Sequence, residues 1–395
     1  MIDFELSEDH LAIQSMARKF ADREIQPIAE KLDRSQNLFE DFPWQLVQKG
    51  SEIGFRTAAL PIEYDGPEFD LRTWVVLIDE LAYADVACAK LFSHNWTLCR
   101  AIVSGGTQEQ KDRFLPAFRD DPAFLLGGDV NRLPTAAGKS GAGETITAAR
   151  RGDRYVLNGK IRVVSNGPHA KLLLVDAQTD SSVSTAEGTS TFLLPKETPG
   201  CSFACVHDRV GLRMYLQGEL HLDNAEVPAE NLLGGKVGRG YDESVSGAGN
   251  LEISAHAMAL ARVAIDAATK YATERIQGGK QIIEHQAVAL ALADMYIALQ
   301  AGRSLLWEVA WTMDRNRIDR ALDTACKVFC TEAAVKICRE AVEIFGGSGV
   351  MRELPMQKYY RDSLVLLHMG GTNHANLAKV GAILDSRADQ MPLSQ

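Results

Sequence analysis

Positive charge is in short supply in this chain. Its 395 residues carry 42 Lys and Arg against 52 Asp and Glu, a formal net charge of −10, and the basic residues are scattered rather than gathered in blocks. Such a surface has no stripe with which to neutralise phosphates, which argues against a nucleic-acid partner. Long apolar runs are also missing, with no uninterrupted 18-residue span to cross a membrane. The opening Met1-Ile2-Asp3-Phe4-Glu5-Leu6-Ser7-Glu8-Asp9-His10 is acidic and lacks the basic start and apolar stretch of a secretory signal, so a cytoplasmic protein is expected. The seven cysteines form an odd set without a Cys-x-x-Cys pair. Neither Cys201/Cys205 nor Cys326/Cys330 has a histidine at zinc-ligand spacing. Reduced, mostly buried thiols and no metal are the expectation.

What is present is an ordinary globular composition, 46% hydrophobic and 24% charged, long enough for two or three packed layers or domains. From Ser7 to about Arg119 apolar residues recur at helical spacing (Leu11, Ile13, Met16, Phe20, Ile25, Ile28, later Leu77, Ile78, Leu81). Between about Phe124 and Leu233 the texture changes to short runs, Tyr155-Val156-Leu157, Lys171 to Val175 and Thr191 to Leu194, separated by Asn158-Gly159, Asn166-Gly167 and Pro199-Gly200. These read as strands and turns. The polar stretch Ala177 to Ser190 reads as a mobile loop. After Gly240 long helices are expected over Glu252 to Arg275, Glu284 to about Met313 and Asp319 to Phe345. The order is helical, β, helical, with boundaries expected at 1–123, 124–238 and 239–395.

Several motifs fall within that frame: Asp79-Glu80-Leu81-Ala82, Ser93-His94-Asn95, Leu157-Asn158-Gly159-Lys160, Gly211-Leu212-Arg213, Val227 to Gly234, Arg275, Gln286, Leu292-Ala293-Asp294-Met295, Gly346-Gly347-Ser348-Gly349, and Tyr360-Arg361-Asp362 followed by Gly370-Gly371-Thr372. In order and approximate spacing this series resembles the acyl-CoA dehydrogenases over nearly the whole chain. The resemblance implies an α+β fold with an N-terminal helical domain, a middle β domain and a C-terminal four-helix bundle. It implies α,β-dehydrogenation of an acyl thioester, on coenzyme A or an acyl carrier, with FAD between the β domain and the bundle. It further implies a homotetramer, or a heteromer with an active paralogue, and an electron-transfer flavoprotein as electron partner. By the same resemblance Ser165 lies at the flavin ring, Arg275 at the pyrophosphate, Gln286, Gly346 and Gly347 at the adenosine half across a subunit contact, and Thr372 on the cofactor. A guanidinium fork suits phosphate oxygens, and glycine lets backbone approach a dinucleotide.

The chain also departs from that pattern. Val163 replaces the tryptophan that covers the flavin, Gly278 a phenylalanine, and Glu343 and Asn376 two glutamines. The first flavin loop, expected between Gly127 and Thr147, reads Gly128 to Pro134 with only Gly141-Ala142-Gly143-Glu144 as an echo. Most notably, Gly370 stands where the family's catalytic glutamate is expected, and its minority position falls on Gly249-Asn250. Abstraction of an α-proton needs a base. The nearest carboxylate is Glu252, read either as a substitute base or, with Asn250 as N-cap, as a first-turn complement to the helix dipole. His94, His368 and His374 are further candidates. Lys90 resembles the cation that a desulfinase branch of the superfamily uses to hold a substrate anion, or else lies on a helix flank in water. The alternatives to dehydrogenation are a desulfinase-type acyl-CoA lyase, a non-catalytic flavin-binding subunit, and a flavin monooxygenase on the same fold.

Overall fold

The computed structural model describes residues 4–128, 146–238 and 248–388. The chain opens with α1 (Glu8–Phe20), which runs through a π-helical turn (Ala21–Ile25) into α2 (Gln26–Asp33). Helices α3 (Trp44–Glu52), α4 (Leu71–Ala84), α5 (Val86–Gly105) and α6 (Gln108–Asp120) follow. Asp85 separates α4 from α5. Its extended backbone (φ −163°) ends one helix, and its carboxylate accepts the Cys88 N–H at 2.8 Å to cap the next. Lys90 therefore stands near the start of a new helix, not on a continuation of α4.

The strands are β1 (Leu126–Gly128), β2 (Thr147–Arg151), β3 (Arg154–Ser165), β4 (Leu172–Gln178), β5 (Thr189–Pro195), β6 (Cys201–Val206) and β7 (Gln217–Pro228). They form one sheet in the order β1-β4-β2-β3-β7-β6, with β5 also paired to β4. The Asn158-Gly159 pair, expected to be a turn between strands, lies inside β3. There it makes a bulge against β7, where the register slips between Leu157 and Gly159. Long-range pairing over twelve residues on each side outweighs the local turn preference. The polar Ala177–Ser190 stretch lends its ends to β4 and β5 and includes a short helical turn at Thr185–Gly188.

The C-terminal helices are α7 (Ala248–Glu274), α8 (Gln286–Met313), α9 (Arg320–Phe345), α10 (Met356–His368) and α11 (Asn373–Ala388). Small buried residues along α7 (Ala255, Ala257, Ala259, Ala261, Ala264, Ala268) let α4 and α9 approach closely. Both helical blocks share one core, in which Phe55, Trp74 and Leu81 join Met258, Ile337 and Leu366. Asn250 lies within α7 and is not its N-cap. Among the described residues no helix is long and apolar enough to cross a membrane.

The Tyr360-Arg361-Asp362 segment fastens α10 to both other parts. Arg361 donates to Asp33 on α2 and to the Val210 carbonyl, while Asp362 accepts the Leu212 N–H at 2.7 Å. Lys358 bridges Asp362 and Asp85 at 2.6 and 2.7 Å. At Gly211 a Cβ would stand 2.5 Å from the Arg361 carbonyl oxygen, so only glycine allows this approach. These contacts fix where the end of α10 delivers Gly370.

Candidate functional site

The end of β3 and the end of α10 face each other across a cleft of about 650 Å³. Val163, Ser165 and Gln217 form one wall, and Leu364, Val365, His368, Met369, Gly370 and Gly371 the other. Ser165 is fully buried, and its hydroxyl accepts from Gln217 Nε2 at 2.9 Å. Asn166 follows with φ +55°, and neither atom of its buried amide has a partner among the described residues. Burying an unfilled amide is costly, so a polar ligand at this strand end would be stabilising. Opposite, Gly370 and Gly371 turn the chain at φ +66° and +84°. Thr372 caps α11 by accepting the Ala375 N–H at 3.3 Å. The remainder of the first flavin loop, from residue 129 to 145, lies outside the described residues.

A second group of expected residues sits elsewhere. Tyr271 stacks on Phe345, ring centroids 4.0 Å apart, and this pins the end of α7 to the end of α9. It brings Arg275 into the neighbourhood of Gly346 and Gly347, all three exposed, with Gln286 exposed at the start of α8. A Cβ on Gly346 or Gly347 would meet nothing within 4 Å, which leaves open backbone. Gly370 packs against Asn250 at the other end of α7. At 1.5 Å per residue, this 27-residue helix holds the two groups about 40 Å apart.

Glu252 and Lys90 form a third cluster. Asn250 and Glu252 are two residues apart, about 200° round the helix, so they project from opposite faces of α7. Asn250 turns to Gly370 while Glu252 turns to α5. There Lys90, Ser93 and His94, at helical spacings of three and four, make a matching polar face. Lys90 Nζ donates to both oxygens of Glu252 at 2.7 Å, and the Ser93 hydroxyl donates to the same carboxylate. The pair is 1% and 3% exposed. Burial would raise the Glu252 pKa, but Lys90, with His256 and His94 behind it, outweighs that and holds it down to about 2. Burial pushes both imidazoles down to about 4, and Lys90 adds to the shift. His94 Nε2 lies 3.0 Å from the Gly128 carbonyl oxygen, and His256 Nδ1 lies 2.7 Å from the Glu252 carbonyl oxygen. Lys90 and Glu252 thus meet each other, and neither lines the cleft at Gly370. His368 does line it, whereas His374 is exposed on α11.

Three family models match the chain in sequence order: acyl-CoA dehydrogenase N-terminal domain over residues 7–120, middle domain over 134–225 and C-terminal domain over 245–384. The chain belongs to the acyl-CoA dehydrogenase family. It is 32% identical over 373 residues to a 3-(aryl)acrylate reductase of Clostridium sporogenes, covering 93% of this chain and 96% of that protein. It is likewise 32% identical over 376 residues to acryloyl-CoA reductase (NADH) of Anaerotignum propionicum, covering 94% and 93%. Among solved structures, butyryl-CoA dehydrogenase from Megasphaera elsdenii superposes with a TM-score of 0.89 at 27% identity, covering 97% of this chain and all of that one. Acyl-CoA dehydrogenases are FAD-dependent, and FAD is the cofactor here. The residues fit it. Buried Ser165 lines the cleft with the side-chain-free turn at Gly370-Gly371, the unfilled amide of Asn166 follows it in the chain, and the exposed glycines at 346 and 347 follow Phe345, whose ring stacks on Tyr271 four residues before Arg275.

The sequence reading missed Gln217, His256 and the residues behind Gly370, namely Asp323 and Lys327. The available signal was spacing: a carboxylate and an ammonium four residues apart in the first two turns of α9.

Proposed function

We propose that this chain interconverts a saturated acyl thioester and its α,β-unsaturated form, with the acyl group carried on coenzyme A or an acyl carrier. The observation that carries this reading is the cleft in which Ser165 and Gln217 on the β domain face the Gly370-Gly371 turn of the helical domain. FAD bound there supplies a hydride acceptor and donor for the β-carbon. The protein's part is to hold the thioester flat between the two walls, exclude water with Val163, Leu364 and Val365, and manage the α-proton. Both reductase relatives are named for unsaturated substrates, so the site is read as working in either direction.

We further propose that the working particle is an assembly of identical subunits, a homotetramer, with an electron-transfer flavoprotein as electron partner. The length of α7, about 40 Å, which separates the Gly370 turn from the Arg275 end, supports the first part, because one dinucleotide cannot span both groups of one subunit. Exposed Ile276, Leu290, Tyr296, Ile297, Val350 and Met351 lie at or near the Arg275 end and offer an apolar face for a second copy.

The test is anaerobic mixing of the FAD-loaded protein with a panel of acyl-CoAs, and of its reduced form with the matching enoyl-CoAs. Bleaching of the flavin band in the first case and its return in the second are expected. Full FAD content with no spectral response to any thioester sinks the reading.

A further inference from the structure

The α10 wall of the cleft is a helical stripe. Leu364 and His368 are four residues apart, as are Val365 and Met369, and all four line the cleft from one side of the helix end. Asp362, Ser363 and Leu366 turn to the buried side. His368 is the last residue of α10 and is exposed, and no hydrogen bond or ion pair holds its ring among the described residues. Both ring nitrogens are therefore open to a partner in the cleft. The turn that follows is fixed from behind. The Lys327 ammonium donates to the Leu367 and Gly371 carbonyl oxygens and to Asn373 Oδ1, at 3.2, 2.9 and 2.7 Å. The Asn376 amide donates to the Gly370 and Gly371 carbonyl oxygens at 3.2 and 3.3 Å. These bonds hold the end of α10, and His368 with it, against the cleft.

The other proton acceptors of this region are engaged elsewhere. Glu252 is held by Lys90 and Ser93 between α5 and α7, and His94 and His256 are buried in the same seam. The Asn250 amide nitrogen donates to Asp323 Oδ2 at 2.8 Å, and neither residue lines the cleft. Besides His368, the ionisable side chain lining the cleft among the described residues is Arg209, from the loop before β7, whose guanidinium donates to the Leu212 and Tyr215 carbonyl oxygens. A guanidinium accepts no proton, and the hydroxyl of Ser165 and the amide of Gln217 are not bases at neutral pH. Imidazole is the side chain suited to proton transfer there. The charged groups around His368 are thus Arg209 and, behind the turn, Lys327 from α9.

We propose that His368 is the catalytic base of this chain, its imidazole taking the thioester's α-proton in place of the side chain missing at Gly370. The inference rests on reading the cleft as a thioester oxidoreductase site. Dehydrogenation needs the base and the hydride acceptor on opposite faces of the Cα–Cβ bond. Ser165, the residue that the family pattern puts at the flavin ring, stands on the β wall, and His368 stands on the α10 wall. In the step the Cα–H bond breaks, its electron pair stays on the thioester as an enolate, and the proton goes to an open ring nitrogen. The imidazolium returns that proton to carbon or releases it to solvent, to which the exposed ring has access. In the reducing direction it supplies the proton that the α-carbon gains.

The test uses FAD-loaded protein and acetyl-CoA, whose acyl group has α-hydrogens but no β-carbon and so cannot be oxidised. Exchange of its methyl protons is followed by NMR in D2O, and the wild type is expected to catalyse it. His368→Ala should slow exchange about 100-fold, with FAD content, flavin spectrum and acetyl-CoA binding by calorimetry unchanged. Free imidazole added to His368→Ala should restore part of the exchange in proportion to its concentration. His368→Glu should also restore part of it, with the pH profile moved to the acid side, because carboxylates titrate below imidazoles. Exchange untouched by His368→Ala overturns the proposal. So does a loss that neither imidazole nor His368→Glu recovers, since that marks a structural role. A wild type that is bleached by acyl-CoAs yet leaves the acetyl-CoA protons in place removes this inference alone. Failure of every thioester to bind or bleach removes the oxidoreductase reading and this inference with it.

Discussion

Gly370 holds a left-handed backbone that a side chain makes costly, by roughly 1–2 kcal/mol. Gly370→Ala is therefore expected to lower the urea midpoint by that equivalent, and an unchanged midpoint would show that the turn relaxes freely. Ile253 Cδ1, the flexible end of a side chain, adds little to the penalty because it can shift. Asp323 gives a pH signature at the same scale. An unfolded aspartate titrates near 3.9, whereas the folded group titrates at about 7. Between those values the native state holds a proton that the unfolded chain has released, so stability falls as pH rises through this window and levels off above it. Asp323→Asn should abolish that fall, measured as denaturation midpoints from about pH 5 to 8. Parallel curves for the two proteins would contradict the raised value. None of this was visible in the letters, since Asp323 differs from any first-turn helix aspartate only through the neighbours that remove its water.

At the scale of elements, α5 and α7 meet through a polar seam inside an apolar core. The Lys90–Glu252 pair is buried on both sides, and removing one partner leaves the other charge without compensation at a cost of about 3–5 kcal/mol. Lys90→Met alone should lower thermal stability sharply. Lys90→Met combined with Glu252→Leu should recover most of the loss, because two apolar side chains replace a pair whose desolvation was itself expensive. Equal effects in the single and double variants would show that the pair is not coupled. The sequence marked Lys90 as unusual for its place. It could not show that Glu252 faces it, because a helix position names a face only once its neighbours are known.

At the scale of the molecule, α7 separates the Ser165–Gly370 cleft from the Arg275–Gly346 end, so the proposed cofactor site needs at least two subunits. Ile297→Glu, on the exposed apolar face of α8, should yield a smaller particle by sedimentation with FAD content lost in parallel, although every cofactor residue is intact. A fully flavin-loaded monomer would refute the shared site. Arg275→Ala should lower FAD content without changing particle size.

The sequence alone determined the architecture, because helical period, strand texture and turn residues are local properties repeated over hundreds of residues. It also located the helix ends within a few positions and identified Gly370 as a place without a base. The tertiary structure decided what surrounds that glycine. It turned Glu252 to Lys90 instead of to the cleft, put Asn250 inside α7 with its amide on Asp323, and clamped the turn with Lys327. These outcomes depend on which buried groups meet across helices far apart in the chain, and on the loss of water that sets their charge.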